Sequence, residues 1–178
     1  GLGRILSGGT RLEHWPADSG LGDAKGPVLP DAYVSAVAAH EDVIHIATNA
    51  GLARVAAGKV QVFDENAFIE SEVILDVAVD VDGTAWAGTL EGLGSLVDGQ
   101  WKAVKYPGLT GRVDAVSARN GRLFAASGAR LFTRVDGDWR PVEFEMGPVG
   151  AIRDIAQGAD GSLWLLTTQG VARHGPQR

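Results

Sequence analysis

The sequence predicts an all-β protein assembled from four or five copies of one small antiparallel sheet. Three observations carry this. One pattern returns at a near-constant interval: the small hydroxyl residues Thr48, Thr89, Ser127 and Thr167 each end an apolar run and stand 41, 38 and 40 residues apart. Three of the four copies are punctuated by Asp-Gly or Asn-Gly signals, which tolerate positive φ and close tight hairpins. Finally, 25 of the 178 residues are glycine, about twice the usual share of about 7%, as expected of a chain that turns back often. No segment shows the 3.6-residue apolar period of a helical repeat.

The elements of one copy follow in order. A short apolar strand comes first: "YVSAVAA", "VILDVAV", "RVDAVSA" and "AIRDIAQ" in the four copies. The turns "HEDV", "DVDG", "RNGR" and "GADG" follow. A second strand carries a ring three residues before the hydroxyl, at His45, Trp86, Phe124 and Trp164. Gly51, Gly92 and Gly170, each followed by Leu or Val, then open a third strand, whereas the third copy reads "SGARLF" and is one residue shorter. A second glycine turn ("AAGK", "VDGQ", "VDGD") leads to a fourth strand, "VQVF", "WKAV" or "WRPV". Four short strands in about 40 residues, unable to bury a face alone, must stack on one another, and this is the signature of a β-propeller blade.

The expected organisation is therefore a single β-propeller domain over residues 1–178. It has full blades at 33–63, 73–104 and 112–143, a three-stranded last blade at 151–174 and a partial blade at 1–15. A strand at Arg11–Trp15 can complete the last blade, but Gly1–Leu6 and Gly170–His174 both read as third strands and compete for one place. Either the chain closes into a small ring with one terminal strand set aside, or it forms an incomplete ring belonging to a larger one. The second is preferred, because both ends fall in mid-blade, and open sheet edges invite pairing with another chain. The stretch Asp64–Val73 has room for one short helix, and Pro16–Pro30 reads as loop. Trp86 and Trp164 are expected in the core between blades, Trp101 and Trp139 over blade edges, and Trp15 partly exposed.

Charge and composition narrow the function. A net charge of −6, with 16 scattered basic residues against 22 acidic ones, argues against a nucleic-acid partner, because phosphate backbones demand clustered Lys and Arg. No apolar run approaches the roughly 20 residues that span a bilayer. With no cysteine there is no disulfide and no thiolate metal site. The four histidines occupy different repeat positions, and His45 reads as a buried ring in place of a core aromatic. "DVDG" (Asp80–Gly83) lacks the third acid of a calcium loop, since position 78 is Ala78. No nucleophile elbow or phosphate loop is present. No catalytic residue, metal or cofactor is expected.

Binding candidates remain. Asp76 and Asp154 share one position on the innermost strand, where Ala36 and Ala115 stand in the other copies, and Asp114 lies one residue earlier in its copy. Innermost strands line the propeller channel, so these acids either form a cation or polar-ligand site or accept hydrogen bonds from neighbouring backbone and hold blades together. The second reading weighs more. Asn49, Glu91 and Gln169, in the turns between second and third strands, and Arg112, with Glu65, Glu70 and Glu145, in the crossings between blades, share one end of the channel. That mouth is the expected binding face.

Several stretches resemble a known family. "VDGTAWAGTLEGLGSL" and "ADGSLWLLTTQGVAR", with "ATNAGLAR" and "GPVLPDAYVSAVA", are similar to the two-component regulator propeller repeat across nearly the whole chain. His45 and Phe124 stand where that family has Trp, and Ser95 replaces its Arg. The resemblance implies a sensory β-propeller of bacterial signalling proteins in a periplasmic or extracellular setting, binding a small polar or saccharide ligand or a protein partner without catalysis. Two alternatives stay open. One is a structural subunit or oligomer joined to a larger assembly through its open blade edges. The other is a lyase or hydrolase acting at the channel mouth, which requires a histidine such as His40 to meet an acid such as Asp154.

Overall fold

The computed structural model describes residues 2–5, 12–15, 29–64, 71–144 and 150–175, the first two stretches as backbone alone. The first blade contains β3 (Val34–His40), β4 (Val43–Thr48), β5 (Gly51–Ala56) and β6 (Lys59–Phe63). The second contains β7 (Ile74–Val79), β8 (Ala85–Thr89), β9 (Leu93–Val97) and β10 (Gln100–Ala103). The third contains β11 (Ala115–Arg119), β12 (Arg122–Ser127), β13 (Arg130–Val135) and β14 (Asp138–Val142). The fourth has β15 (Ile152–Gln157), β16 (Leu163–Thr167) and β17 (Gly170–His174). Strand order within every blade is sequential and each pairing is antiparallel. Near the N-terminus β1 (Leu2–Ile5) and β2 (Leu12–Trp15) form a separate hairpin.

The turns explain why these residues make these strands. Ala57-Gly58, Asp98-Gly99, Asn120-Gly121 and Asp136-Gly137 all have positive φ at both positions. Such a pair builds the two-residue hairpin loop whose twist matches that of the strands it joins. The hydroxyl that marks the repeat has its own task. Thr48, Thr89 and Thr167 each donate Oγ1–H to the carbonyl of Gly51, Gly92 and Gly170, at 2.7, 3.0 and 2.9 Å. The same oxygens accept from the backbone N–H of Ala50, Glu91 and Gln169. The shorter third copy closes with Gly128-Ala129 between Ser127 and Arg130 and has no room for this loop.

Inner strands pack in chain order, β3 on β7, β7 on β11 and β11 on β15, and this convergence defines the four-bladed β-propeller. Among the described residues no comparable contact joins β15 back to β3. The core lies in the seams. Leu52 and Phe63 meet Val77 and Leu96 between the first and second blades. Trp86 and Leu93 meet Val116 and Trp139 between the second and third. Phe124 and Leu131 meet Ile155 and Leu163 between the third and fourth. Leu29 packs on the face of the first blade turned away from the second, against Ile46, Ala53 and Val55.

Two tryptophans depart from expectation. Trp86 is 4% exposed, whereas Trp164, at the same position of the repeat, is 45% exposed. The face that carries Trp86 is covered by the next blade, and the fourth blade has no described blade beyond it. Trp139 does not cover an edge. It turns into the seam and meets Trp86 edge-on, with ring centroids 5.7 Å apart. The helix considered within Asp64–Val73 falls largely on residues outside those described, as does the side chain of Trp15. Strand β2 pairs with β1, so among the described residues the outer edge of β17 is open.

Candidate functional site

All inner strands start at the end of the molecule that holds the β4–β5, β8–β9 and β16–β17 turns, because strands alternate in direction within each blade. Asn49, Glu91 and Gln169 occupy those turns and are exposed. The threonine loops fix their backbone, so three polar side chains stand on a rigid rim. Glu65, Glu70 and Glu145 lie outside the described residues. His40 and His174 close β3 and β17 at the opposite end, and His45 is buried in mid-strand. His40 is the last residue of β3, whereas Asp154 is the third residue of β15, nearer the end where the inner strands start. No group of three or more His, Asp or Glu side chains suited to a metal occurs among the described residues.

The three channel acids have three different environments. Asp76 is a clasp: its Oδ1 accepts the Val77 N–H at 2.8 Å and its Oδ2 accepts the Val116 N–H of the next blade at 2.7 Å. Asp154 repeats the first half of this arrangement, accepting the Ile155 N–H at 2.7 Å, and is otherwise exposed. Asp114 sits beside the mouth with 6% of its side chain exposed, and its Oδ1 accepts from Arg112 Nε at 2.8 Å and from Arg153 Nη1 at 2.6 Å. Both guanidinium groups stay about half exposed, at 50% and 46%. Arg153 escaped the sequence reading. Its signal was its place directly before Asp154, on the face turned back toward the third blade.

Burial pushes the Asp76 carboxyl up to about 6, and the Asp154 charge adds to the rise while the two accepted hydrogen bonds oppose it. A carboxyl raised in the folded state favours folding in its protonated form. That contribution is complete below about pH 4 and is lost as pH rises through about 6, for a change on the order of 2 kcal/mol. Asp76→Asn removes the titration. The stability of wild type minus that of the variant, from urea unfolding, should be larger at pH 4 than at pH 7.5 by this amount. His45 shifts the other way, lowered to about 4 by burial and by the Arg54 charge, so its ring is neutral at pH 7 and serves as a core ring.

Comparison with known proteins adds the following. No protein-family model matches the sequence, and no curated protein sequence matches it. Among solved structures the chain is similar to the extracellular domains of two B. thetaiotaomicron proteins assigned to the hybrid two-component systems. The first has 17% identity and a TM-score of 0.69 over 83% of this chain and 21% of that one. The second has 14% identity and a TM-score of 0.71 over 87% and 23%. It is also similar to virginiamycin B lyase from Staphylococcus aureus, with 14% identity and a TM-score of 0.67 over 99% and 63%. The chain thus spans about a fifth of the first two and under two thirds of the third. At these identities the likeness concerns the β-propeller fold. Among the described residues no helix is long and apolar enough to cross a membrane.

Proposed function

We propose that this β-propeller is a non-enzymatic recognition module whose binding face is the rim carrying Asn49, Glu91, Gln169 and the Arg112–Asp114–Arg153 cluster. One observation carries the reading: a buried carboxylate holds two half-exposed guanidinium groups at 2.8 and 2.6 Å. Fixed guanidinium forks recognise carboxylates with little ordering cost, because their rotamers are set before the ligand arrives. Of the polar ligands open to a propeller mouth, the chemistry selects one with an acidic group, such as a uronic-acid saccharide or a peptide carboxylate. Exposed Asn49 and Gln169 supply neutral donors and acceptors for its hydroxyl or amide groups. The fold shared with extracellular domains of two-component systems favours a sensory role outside the cytoplasm.

A thermal-shift comparison of galacturonate oligomers, acidic peptides and neutral malto-oligosaccharides tests this. An acidic ligand well above its Kd should raise the midpoint by about 3 °C or more. The double variant Arg112→Gln/Arg153→Gln, which keeps neutral donors near Asp114, should lose that rise. A response to neutral sugars alone, or to none of the three, overturns the reading.

A further inference from the structure

The seam between the first and second blades is not closed as the next seam is. Between the second and third blades, Trp86 is covered by the Trp139 ring, with centroids 5.7 Å apart, and by the Arg134 guanidinium at 4.9 Å. One seam earlier, His45 stands at the position of Trp86. Leu96 stands at that of Arg134, because it pairs with Ala85 as Arg134 pairs with Leu123. Trp101 has the position of Trp139 but lies over Gly94 of its own sheet, where a Cβ would collide with the indole. Two smaller side chains and a ring laid aside leave a cavity of about 340 Å³. His45, Arg54 and Gln61 of the first blade line it, with Gly83, Leu96 and Asp98 of the second. Both walls belong to four-stranded blades whose strands are all described.

The lining of this cavity is charged on both sides. Arg54 stands opposite His45, where the next two copies set Ser95 and Thr133 opposite their rings. It brings a cation to the first wall, and Asp98 brings an anion to the second. Among the described residues neither finds an ion-pair partner, in the other or elsewhere. His45 is 3% exposed, and its buried Nδ1 has no hydrogen-bond partner. A ring that served packing alone would do better as the phenyl group that Phe124 supplies in the third copy. We propose that this seam cavity is a binding site for a small zwitterion, a free amino acid, whose carboxylate pairs with Arg54 and whose ammonium group pairs with Asp98. A simple anion would meet repulsion from Asp98 and a simple cation from Arg54, whereas a zwitterion satisfies both walls. The volume lies at the lower end for ligand cavities, which suits one amino acid and not an oligomer. Gln61 offers an amide and Leu96 an apolar contact, so the side chain it accepts is uncharged. The cavity lies at the end of the molecule that holds the β7–β8 and β9–β10 turns, opposite the acidic-ligand rim, and does not depend on that reading.

The test follows the imidazole ring signals of His45 by NMR in the full chain at pH 7, assigned by their loss in His45→Phe. These signals report on the seam and not on the rim. L-alanine, L-leucine and L-glutamine are titrated in turn, each beside its analogue without the ammonium group and its analogue without the carboxylate. At least one amino acid should shift the His45 signals saturably, and both of its analogues should bind at least about tenfold more weakly. Arg54→Gln and Asp98→Asn should each weaken that amino acid by a similar factor. Asp98→Asn keeps its turn, because Asn120 takes the same positive φ before a glycine in another hairpin. If Arg54→Gln does not fold, Asp98→Asn and the analogues on the native chain still decide. No saturable shift with any of the three at millimolar concentration overturns the proposal. So does equal binding of the carboxylate or the amine alone, or binding that survives both substitutions.

Discussion

Gly88→Val should destabilise the protein by about 3 kcal/mol, read as a fall in the urea midpoint at unchanged slope. Gly88 lies in β8 where the crossing into the third blade passes over it. A Cβ placed there would stand 2.6 Å from the carbonyl oxygen of Val113 and 3.0 Å from Val113 Cγ1. The nearer atom is backbone, and it is anchored, because Val113 N–H donates to the Thr89 carbonyl at 2.9 Å. The clash therefore cannot be relieved by turning a side chain, and the seam between the second and third blades must open. The matching position of the fourth blade is Leu166, exposed because no described blade covers it. Leu166→Val should change stability by no more than about 0.5 kcal/mol. Equal effects at the two positions would contradict the assignment of seam and free face.

Asp76→Ala should cost about 3 kcal/mol at pH 7, because it leaves the Val77 and Val116 N–H groups without their acceptor in a buried seam. One of these belongs to the second blade and the other to the third, so the loss falls on the joint between them. Asp76→Asn keeps one acceptor oxygen and removes a buried charge, and should cost about half as much. Asp154→Ala removes the same residue from the fourth blade, where only the Ile155 N–H is held and the carboxylate is exposed. Its cost should stay near 1 kcal/mol. A ranking with Asp154 above Asp76 would mean that the clasp across blades contributes nothing.

The repeat was legible because hairpin chemistry is local. Asp98-Gly99 or Asn120-Gly121 states its turn in two letters, and the recurring threonine states the next one. The burial of His45 could also be read, from a ring standing where other copies place a large aromatic. What could not be read were relations between blades. That Asp76 accepts from backbone and holds blades together was the favoured reading of an acid on an innermost strand, but nothing within "VILDVAV" names its donor 40 positions later, or says that Trp164 in "GSLWLL" keeps its face open while Trp86 in "GTAWAG" does not. Both depend on whether a neighbour stands alongside, and identical local text is compatible with either. The Arg112–Asp114–Arg153 cluster was half visible: Arg112 was picked out at the mouth and Asp114 as a channel acid, and the third member comes from the following blade.

Among the described residues the inner strands pack chiefly in succession, β3 on β7, β7 on β11 and β11 on β15. Among the described residues each interior sheet is gripped on both sides, while the last one leans on a single companion and exposes Trp164, Leu166 and Val171. In such a linear stack free energy accumulates from nearest neighbours, and melting starts where a neighbour is missing. Of the described sheets the fourth should therefore open first, while Gly88 and Asp76 still lock the middle.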